Sequence, residues 1–221
     1  MNRVIEDGVH DGHINMSRDE ALLSEVSRGG FSARVYGWDE PWVTLGRFQT
    51  PERALLAGAP IKSIIRPTGG KAVLHGHDVT LGLAASLESL GVQERKISAV
   101  YRAIIGPIIS ALQDCGLNCD LAENTRFVAS AGKTADCFAH IAPNDVVDVN
   151  TGAKVCGCAL RVVRDAVLVQ ASIPAGKPLV DPALVFSSPA LGVGYWRGDR
   201  TQFAEALARH LSQIQIESAR T

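Results

Sequence analysis

Arg66-Pro67-Thr68-Gly69-Gly70-Lys71-Ala72-Val73-Leu74-His75-Gly76-His77-Asp78 is the stretch from which the rest of the chain is best read. Adjacent glycines let backbone N–H groups come close to an anionic or carbonyl oxygen, and Arg66 or Lys71 is placed to supply charge to the same group. The stretch reads as a phosphate or carboxyl cradle, or as a tight turn between strands. It has neither the G-x-x-x-x-G-K-[ST] spacing of a P-loop nor the G-x-G-x-x-G of a dinucleotide fold. His75 and His77 are two apart and share a face if the segment is a strand, which leaves Asp78 on the other side. Three ligands are then not assembled, and no metal site is predicted.

Short β-rich runs surround this loop. Ala33–Tyr36 and Trp42–Gly46, separated by Gly37-Trp38-Asp39-Glu40-Pro41, fit a hairpin, and Ile61–Ile65 leads straight into Arg66. Ala72–Leu74 and Val79–Leu83 bracket the histidines. Upstream, Ser17-Arg18-Asp19-Glu20 has the form of a capping box, predicting a helix from there to about Arg28, with Gly29-Gly30 as its stop. Downstream, Val100, Ile104, Ile105, Ile108 and Leu112 define an amphipathic helix over about Ser98 to Cys115, with a kink expected at Gly106-Pro107. Val146–Val149, Val155–Val163 and Ala166–Ile173 form a meander, Pro174 to Arg200 is irregular, and a helix from about Thr201 to Ile216 follows. Strands outnumber helices and connect mostly by hairpins. The prediction is an α+β fold with a largely antiparallel or mixed sheet and helices packed on one face, in a single domain over residues 1–221.

Of the 221 residues 46% are hydrophobic and 20% charged, with a net charge of −1. That balance argues against a polybasic nucleic-acid binder, and no apolar run approaches a membrane helix or a signal peptide. The expectation is a cytoplasmic protein with no nucleic-acid or membrane partner. Five cysteines in a chain of this size read as free thiols. Cys115, Cys119, Cys156 and Cys158 have the setting of small buried residues. Cys137 instead stands in a polar stretch, Thr134-Ala135-Asp136-Cys137-Phe138-Ala139-His140. Lys154 follows the Asn150-Thr151-Gly152 turn, and a hairpin can return it to Cys137, where an ammonium stabilises a thiolate nucleophile.

Four segments, in this order, resemble the biotin/lipoate A/B protein ligase family: Asn15–Leu23, Leu45-Gly46-Arg47-Phe48-Gln49, Arg66–His75 and Gly152-Ala153-Lys154-Val155-Cys156-Gly157-Cys158-Ala159. The biotin branch's G-R-G-R-x-G-R loop is missing, which favours a lipoyl-type substrate. The resemblance implies a catalytic domain like those of class II aminoacyl-tRNA synthetases and biotin ligases, moving an octanoyl or lipoyl group onto a lysine of a lipoyl domain. Acceptors of that kind are the glycine-cleavage H protein and the E2 of 2-oxoacid dehydrogenases. Asp136-Cys137-Phe138 resembles the C-F motif of one octanoyltransferase branch. It implies Cys137 as nucleophile, Lys154 as its partner and acyl carrier protein as donor, with no cofactor. Arg66, Thr68, Gly69, Gly70, Lys71, His75, Gly157 and Ala159 are the implied substrate-binding residues. The alternatives are a ligase using ATP and Mg through an acyl-adenylate, an amidotransferase between lipoyl domains, and a non-catalytic acyl-binding module.

Overall fold

The computed structural model describes residues 2–26, 30–93, 95–127, 134–190 and 193–218. Its organisation follows from alternation along the strands. In β1 (Arg3–His10), β2 (Phe31–Trp38), β6 (Asp78–Ser86), β7 (Cys119–Leu121), β8 (Val146–Asp148), β9 (Lys154–Val163) and β10 (Ala166–Pro174) the chain builds a seven-stranded sheet of order β1-β2-β6-β10-β9-β8-β7. β1 and β2 are parallel, and the other neighbours are antiparallel. Successive side chains point to opposite faces. Ala33, Val35, Leu81, Leu83, Val167 and Val169 share one core with Val100, Ile104, Ile108 and Leu112 of α3 (Ile97–Asp114) and with Phe203 and Leu207 of α4 (Arg200–Ser218). The intervening residues, Arg34, Tyr36, Thr80, Gly82, Gln170 and Ser172, look the other way and are mostly polar.

α1 (Gly12–Glu25) covers that second face, so helices lie on both sides of the sheet and not on one as expected. The helix begins at Asp11, whose carboxylate accepts a hydrogen bond from Ile14 N at 2.9 Å. Ser17-Arg18-Asp19-Glu20 is therefore mid-helix and not a capping box. The expected stop at Arg28 and Gly29 falls outside the described residues. Asn15, Met16, Asp19 and Leu22 form the buried stripe, and its polar members hid the helical period from the sequence.

Asp19 is the centre of this interface. Its carboxylate receives Arg34 Nη1 at 2.7 Å, the Tyr36 hydroxyl at 2.8 Å and Gln170 Nε2 at 2.6 Å. Gly82 lies directly beneath, where a Cβ would collide with Asp19 Oδ1. Arg34 also donates to Asp7 Oδ2 at 2.6 Å and to both the carbonyl and the side chain of Asn15. Burial pushes the Asp19 carboxyl up in pKa against the pull of Arg34, Gln170 and Tyr36.

β3 (Trp42–Leu45), β4 (Lys62–Ile65) and β5 (Val73–Leu74) make a separate small sheet of order β4-β3-β5, with the single-turn helix α2 (Pro51–Ala54) between β3 and β4. β2 and β3 therefore belong to different sheets, which corrects the expected hairpin: the chain crosses between layers at Asp39 to Pro41. The long helix runs unbroken over Pro107, and the three-strand meander forms as expected, turning at Arg164 with φ +53°.

Replacing Arg34 with Met removes one partner of a buried pair and strands the other. A loss of about 3–5 kcal/mol is expected in urea unfolding. Adding Asp19→Asn to that variant should recover part of the loss, and full additivity of the two substitutions would refute the coupling.

Candidate active site

The chain leaves β4 into Arg66, whose guanidinium is 5% exposed and turns back into its own loop. Nε donates to Thr68 Oγ1 at 3.2 Å, Nη1 to the carbonyl and hydroxyl of Thr44 at 3.2 and 3.3 Å, and Nη2 to the carbonyls of Gly69 and Lys71. Burial draws its pKa down to about 10. Its five N–H groups are directed at its own loop and at Thr44 of the neighbouring strand. Gly70 has φ +87°, and Gly46 lies so close beneath that a Cβ there would run into Gly70 O. Thr68 sits behind the loop and donates to Gln170 Oε1 at 2.7 Å, tying it to β10 and through Gln170 to Asp19.

Between loop, α1 and sheet lies a small pocket of about 50 Å³, well below the ~300–1,000 Å³ typical of small-molecule sites. Met16, Trp38, Val73 and Ala171 give it apolar wall, and Arg66, Gly70, Lys71, His75, Cys137, Gly157 and Ala159 line it as well. Of the expected binding residues, Thr68 and Gly69 stand outside it: Thr68 braces the loop, and Gly69 lines a neighbouring depression.

His75 and Asp78 come together, contrary to the strand-based expectation. Gly76, at φ +107°, makes residues 75–77 a turn, and His75 Nδ1 lies 2.8 Å from Asp78 Oδ2. His75 Nε2 is 2.8 Å from Thr44 Oγ1, and the ring stacks on Trp38 at a centroid distance of 4.1 Å. Asp78 also accepts from Ser172 at 2.6 Å and Thr80 at 3.0 Å. Burial would raise its pKa, but His75 and Ser172 outweigh burial and hold it below the ordinary carboxylate value.

Cys137 is held at the other end of the loop by a short parallel bridge. Ala72 N donates to Ala135 O and Cys137 N to Ala72 O, each at 2.8 Å. Asp136, itself buried, fastens the segment by accepting from Phe138 N at 2.9 Å and Ala190 N at 2.8 Å. Lys154 opens β9 and reaches across, with Nζ 3.4 Å from Cys137 Sγ, 2.8 Å from Cys137 O and 2.9 Å from Asp145 Oδ2. Its ammonium is 3% exposed; burial lowers its pKa, yet Cys137 and Asp145 more than offset this and the net shift is upward. Gly157 makes the approach possible: a Cβ there would stand 3.3 Å from Cys137 Sγ and 3.5 Å from Phe138 Cζ. The pairing of Cys137 with Lys154 through a returning hairpin is thus found. A thiol beside an ammonium, at the edge of a pocket with a partly apolar wall, can take up an acyl group.

Asp145, Asp136, Gln170 and Trp38 belong to the site and were not among the expected residues. Asp145 stands in Pro143-Asn144-Asp145, beside a turn, and the others mark themselves only by partners distant in sequence.

The lipoyl protein ligase A/B catalytic domain family matches residues 11–179. Octanoyltransferase LipM of Kyrpidia tusciae is 31% identical over 180 residues, covering 77% of this chain and 65% of the relative. LipM of Halalkalibacterium halodurans is 30% identical over 181 residues, covering 77% and 64%. The match therefore spans somewhat less than two thirds of these curated relatives. Among solved structures, lipoate-protein ligase A bound with ATP superposes at a TM-score of 0.72 with 19% identity, over 96% of this chain and 85% of that one. A bi-partite lipoate protein ligase from Thermoplasma acidophilum, studied with its E2 lipoyl domain, superposes at 0.70 with 19% identity, over 96% and 83%. The two superpositions establish the fold, and the match over residues 11–179 places this chain in the lipoyl protein ligase A/B catalytic domain family.

Proposed function

We propose that this chain is an octanoyltransferase that moves an octanoyl group from acyl carrier protein to a lysine of a lipoyl domain through a thioester on Cys137. The observation that carries the reading is the 3.4 Å approach of Lys154 Nζ to Cys137 Sγ at the edge of the cavity. The LipM relatives, named as octanoyltransferases, support the same chemistry. The sulfur, as thiolate, attacks the donor's carbonyl carbon; the donor C–S bond breaks, and the departing sulfur takes a proton from Lys154. The acceptor lysine then attacks the Cys137 thioester as a neutral amine, giving up a proton to Lys154 as the amide forms and the Cys137 thiolate is released. Lys154 returns to its ammonium form, and no cofactor enters. Residues 1–221 work as one catalytic domain, in the cytoplasm, where carrier and acceptor meet. Gly70, Lys71, His75, Gly157 and Ala159 shape the acyl channel, while Arg66, Thr68 and Gly69 hold its loop.

An ATP-dependent route through an acyl-adenylate would give Cys137 no part, which makes the thiol the deciding atom. Incubation with octanoyl-carrier protein should produce a hydroxylamine-labile adduct of octanoyl mass on the peptide containing Cys137. Cys137→Ser should abolish transfer. Retention of transfer by Cys137→Ser with no adduct in the parent, or acceptor modification from octanoate and ATP alone, would replace this reading with the ligase.

Lys154→Ala should lose about 10²–10³-fold in rate, and Lys154→Arg should rescue little, because a planar guanidinium does not fit three acceptors around one nitrogen. Undiminished transfer by either variant would remove Lys154 from the chemistry.

Gly70→Val places a branched side chain at φ +87°, facing Arg66 Nη2 and Ala159. Acyl loading should fail while far-UV circular dichroism stays native, and normal loading would make the loop a mere turn.

A further inference from the structure

The bridge that joins Ala72 to Asp136 sets two segments of chain side by side, and neighbouring residues along them face different cavities. Val73 and Cys137 line the pocket described above. Leu74, Asp136 and Phe138 line a second depression, of about 340 Å³, together with Pro182, Phe186 and Tyr195. The backbone of these two segments is therefore the partition between the two. Leu74, Asp136 and Phe186 are buried, whereas Asp181 and Tyr195, which also line the depression, are exposed. A cavity with exposed residues in its lining admits water, and this one stands directly behind the reactive thiol.

Phe138 is the side chain of this partition that reaches the sulfur. A Cβ built on Gly157 would stand 3.3 Å from Cys137 Sγ and 3.5 Å from Phe138 Cζ, so the thiol and the tip of the ring lie against the same point at the pocket. The ring centroid is 5.2 Å from Lys154 Nζ. Phe138 N donates to Asp136 Oδ1 at 2.9 Å, which fixes the backbone from which the ring projects. One half-buried ring thus extends from the open depression to both the thiol and the ammonium.

The chemistry makes that position consequential. Neutral Lys154 beside a Cys137 thioester is a base for any nucleophile that reaches the carbonyl carbon. Water arriving there would add to that carbon and pass a proton to Lys154. The C–S bond would break, Cys137 would leave as thiolate, and the acyl group would be lost as octanoic acid. Lys154 assists amine and water alike, so the balance between transfer and loss depends on which of them is admitted.

We propose that Phe138 is the water barrier of the acyl-enzyme: its ring closes the partition between the open depression and the Cys137 thioester, and so reserves the acyl group for the acceptor amine. This rests on the octanoyltransferase reading. The barrier works by apolar volume that reaches Gly157, and the aromatic character of the ring is not what it requires.

The test loads parent and variants from octanoyl-carrier protein, removes the donor, and follows loss of the octanoyl mass from the Cys137 peptide, first without acceptor and then with a lipoyl domain. Phe138→Ala should lose its acyl group to water at least tenfold faster than the parent, and the octanoate released per acceptor modified should rise by at least the same factor. Phe138→Met, which keeps apolar volume and reach, should stay within about threefold of the parent. Phe186→Leu enlarges the same depression at a buried residue packed in the cluster of Val43 and Leu45, and it should leave the hydrolysis rate unchanged. If Phe138→Ala does not give the parent's far-UV circular dichroism, Phe138→Val takes its place with the same expectation. An acyl-enzyme as durable in the truncated variant as in the parent would overturn the barrier. So would an equal rise in Phe186→Leu, which would mark a general loosening. A parent that forms no adduct on Cys137 would bring down the octanoyltransferase reading itself, and the barrier with it.

Discussion

A guanidinium buried at the end of β4 must find oxygen for each of its N–H groups, and Arg66 finds all of them on the loop that follows it or on the neighbouring strand. Bonds to Thr44, Thr68, Gly69 and Lys71 convert a flexible run of glycines into one shape. Everything at the site is referred to that shape. It sets the carbonyl against which Gly46 packs, the path of Ala72 beside Ala135, and so the position of Cys137. Each backbone carbonyl gathered this way also has its hydrogen bond met within the loop and leaves no unsatisfied acceptor there.

The same loop is coupled to the opposite edge of the sheet. Thr68 to Gln170, Gln170 to Asp19, Asp19 to Arg34 and Arg34 to Asp7 form a continuous series from the loop to β1, buried as far as Arg34 and half-buried at Asp7. It lies on the polar face of strands whose other face is the aliphatic core under α3 and α4. A sheet built this way divides its labour: one side supplies the hydrophobic burial that drives folding, and the other supplies directional bonds that fix where α1 and the loop sit. The cavity lies where those directional bonds leave a gap.

This division explains what could be read in the sequence. Residues whose role depends on a local pattern were legible: the aliphatic period of α3, the meander of β8 to β10, the glycines of the loop, and Cys137 with Lys154 once a hairpin was inferred between them. β1 escaped because an edge strand with few buried residues shows no alternation of apolar side chains, and α1 was started too late because its inward stripe includes Asn15 and Asp19. The false hairpin of β2 and β3 came from a turn that changes layer where it was expected to reverse within one. Asp78, Asp136, Asp145 and Gln170 were invisible as a group. Each is an ordinary polar residue until the fold brings it a partner, and no spacing rule encodes that.

Among the five cysteines, chemistry follows from which side of this arrangement a thiol occupies. Cys119 and Cys156 lie in the aliphatic core, and Cys158 packs against it while also bordering the cavity; burial pushes each thiol up, Cys119 and Cys158 to about 12. Cys137 lies at the cavity, where Lys154 directs its three N–H groups at Cys137 Sγ, Cys137 O and Asp145 Oδ2. That set is full only while the sulfur is free. In the proposed reaction, acylation converts Sγ from a strong acceptor to a weak one, and the N–H that pointed at it is released toward the donor's departing sulfur. Asp145 and the Cys137 carbonyl keep the nitrogen in place while this happens, so the proton is delivered within reach of the bond being broken. The Lys154 nitrogen left behind has lost that proton, and it stands beside the new thioester as the base the acceptor amine requires.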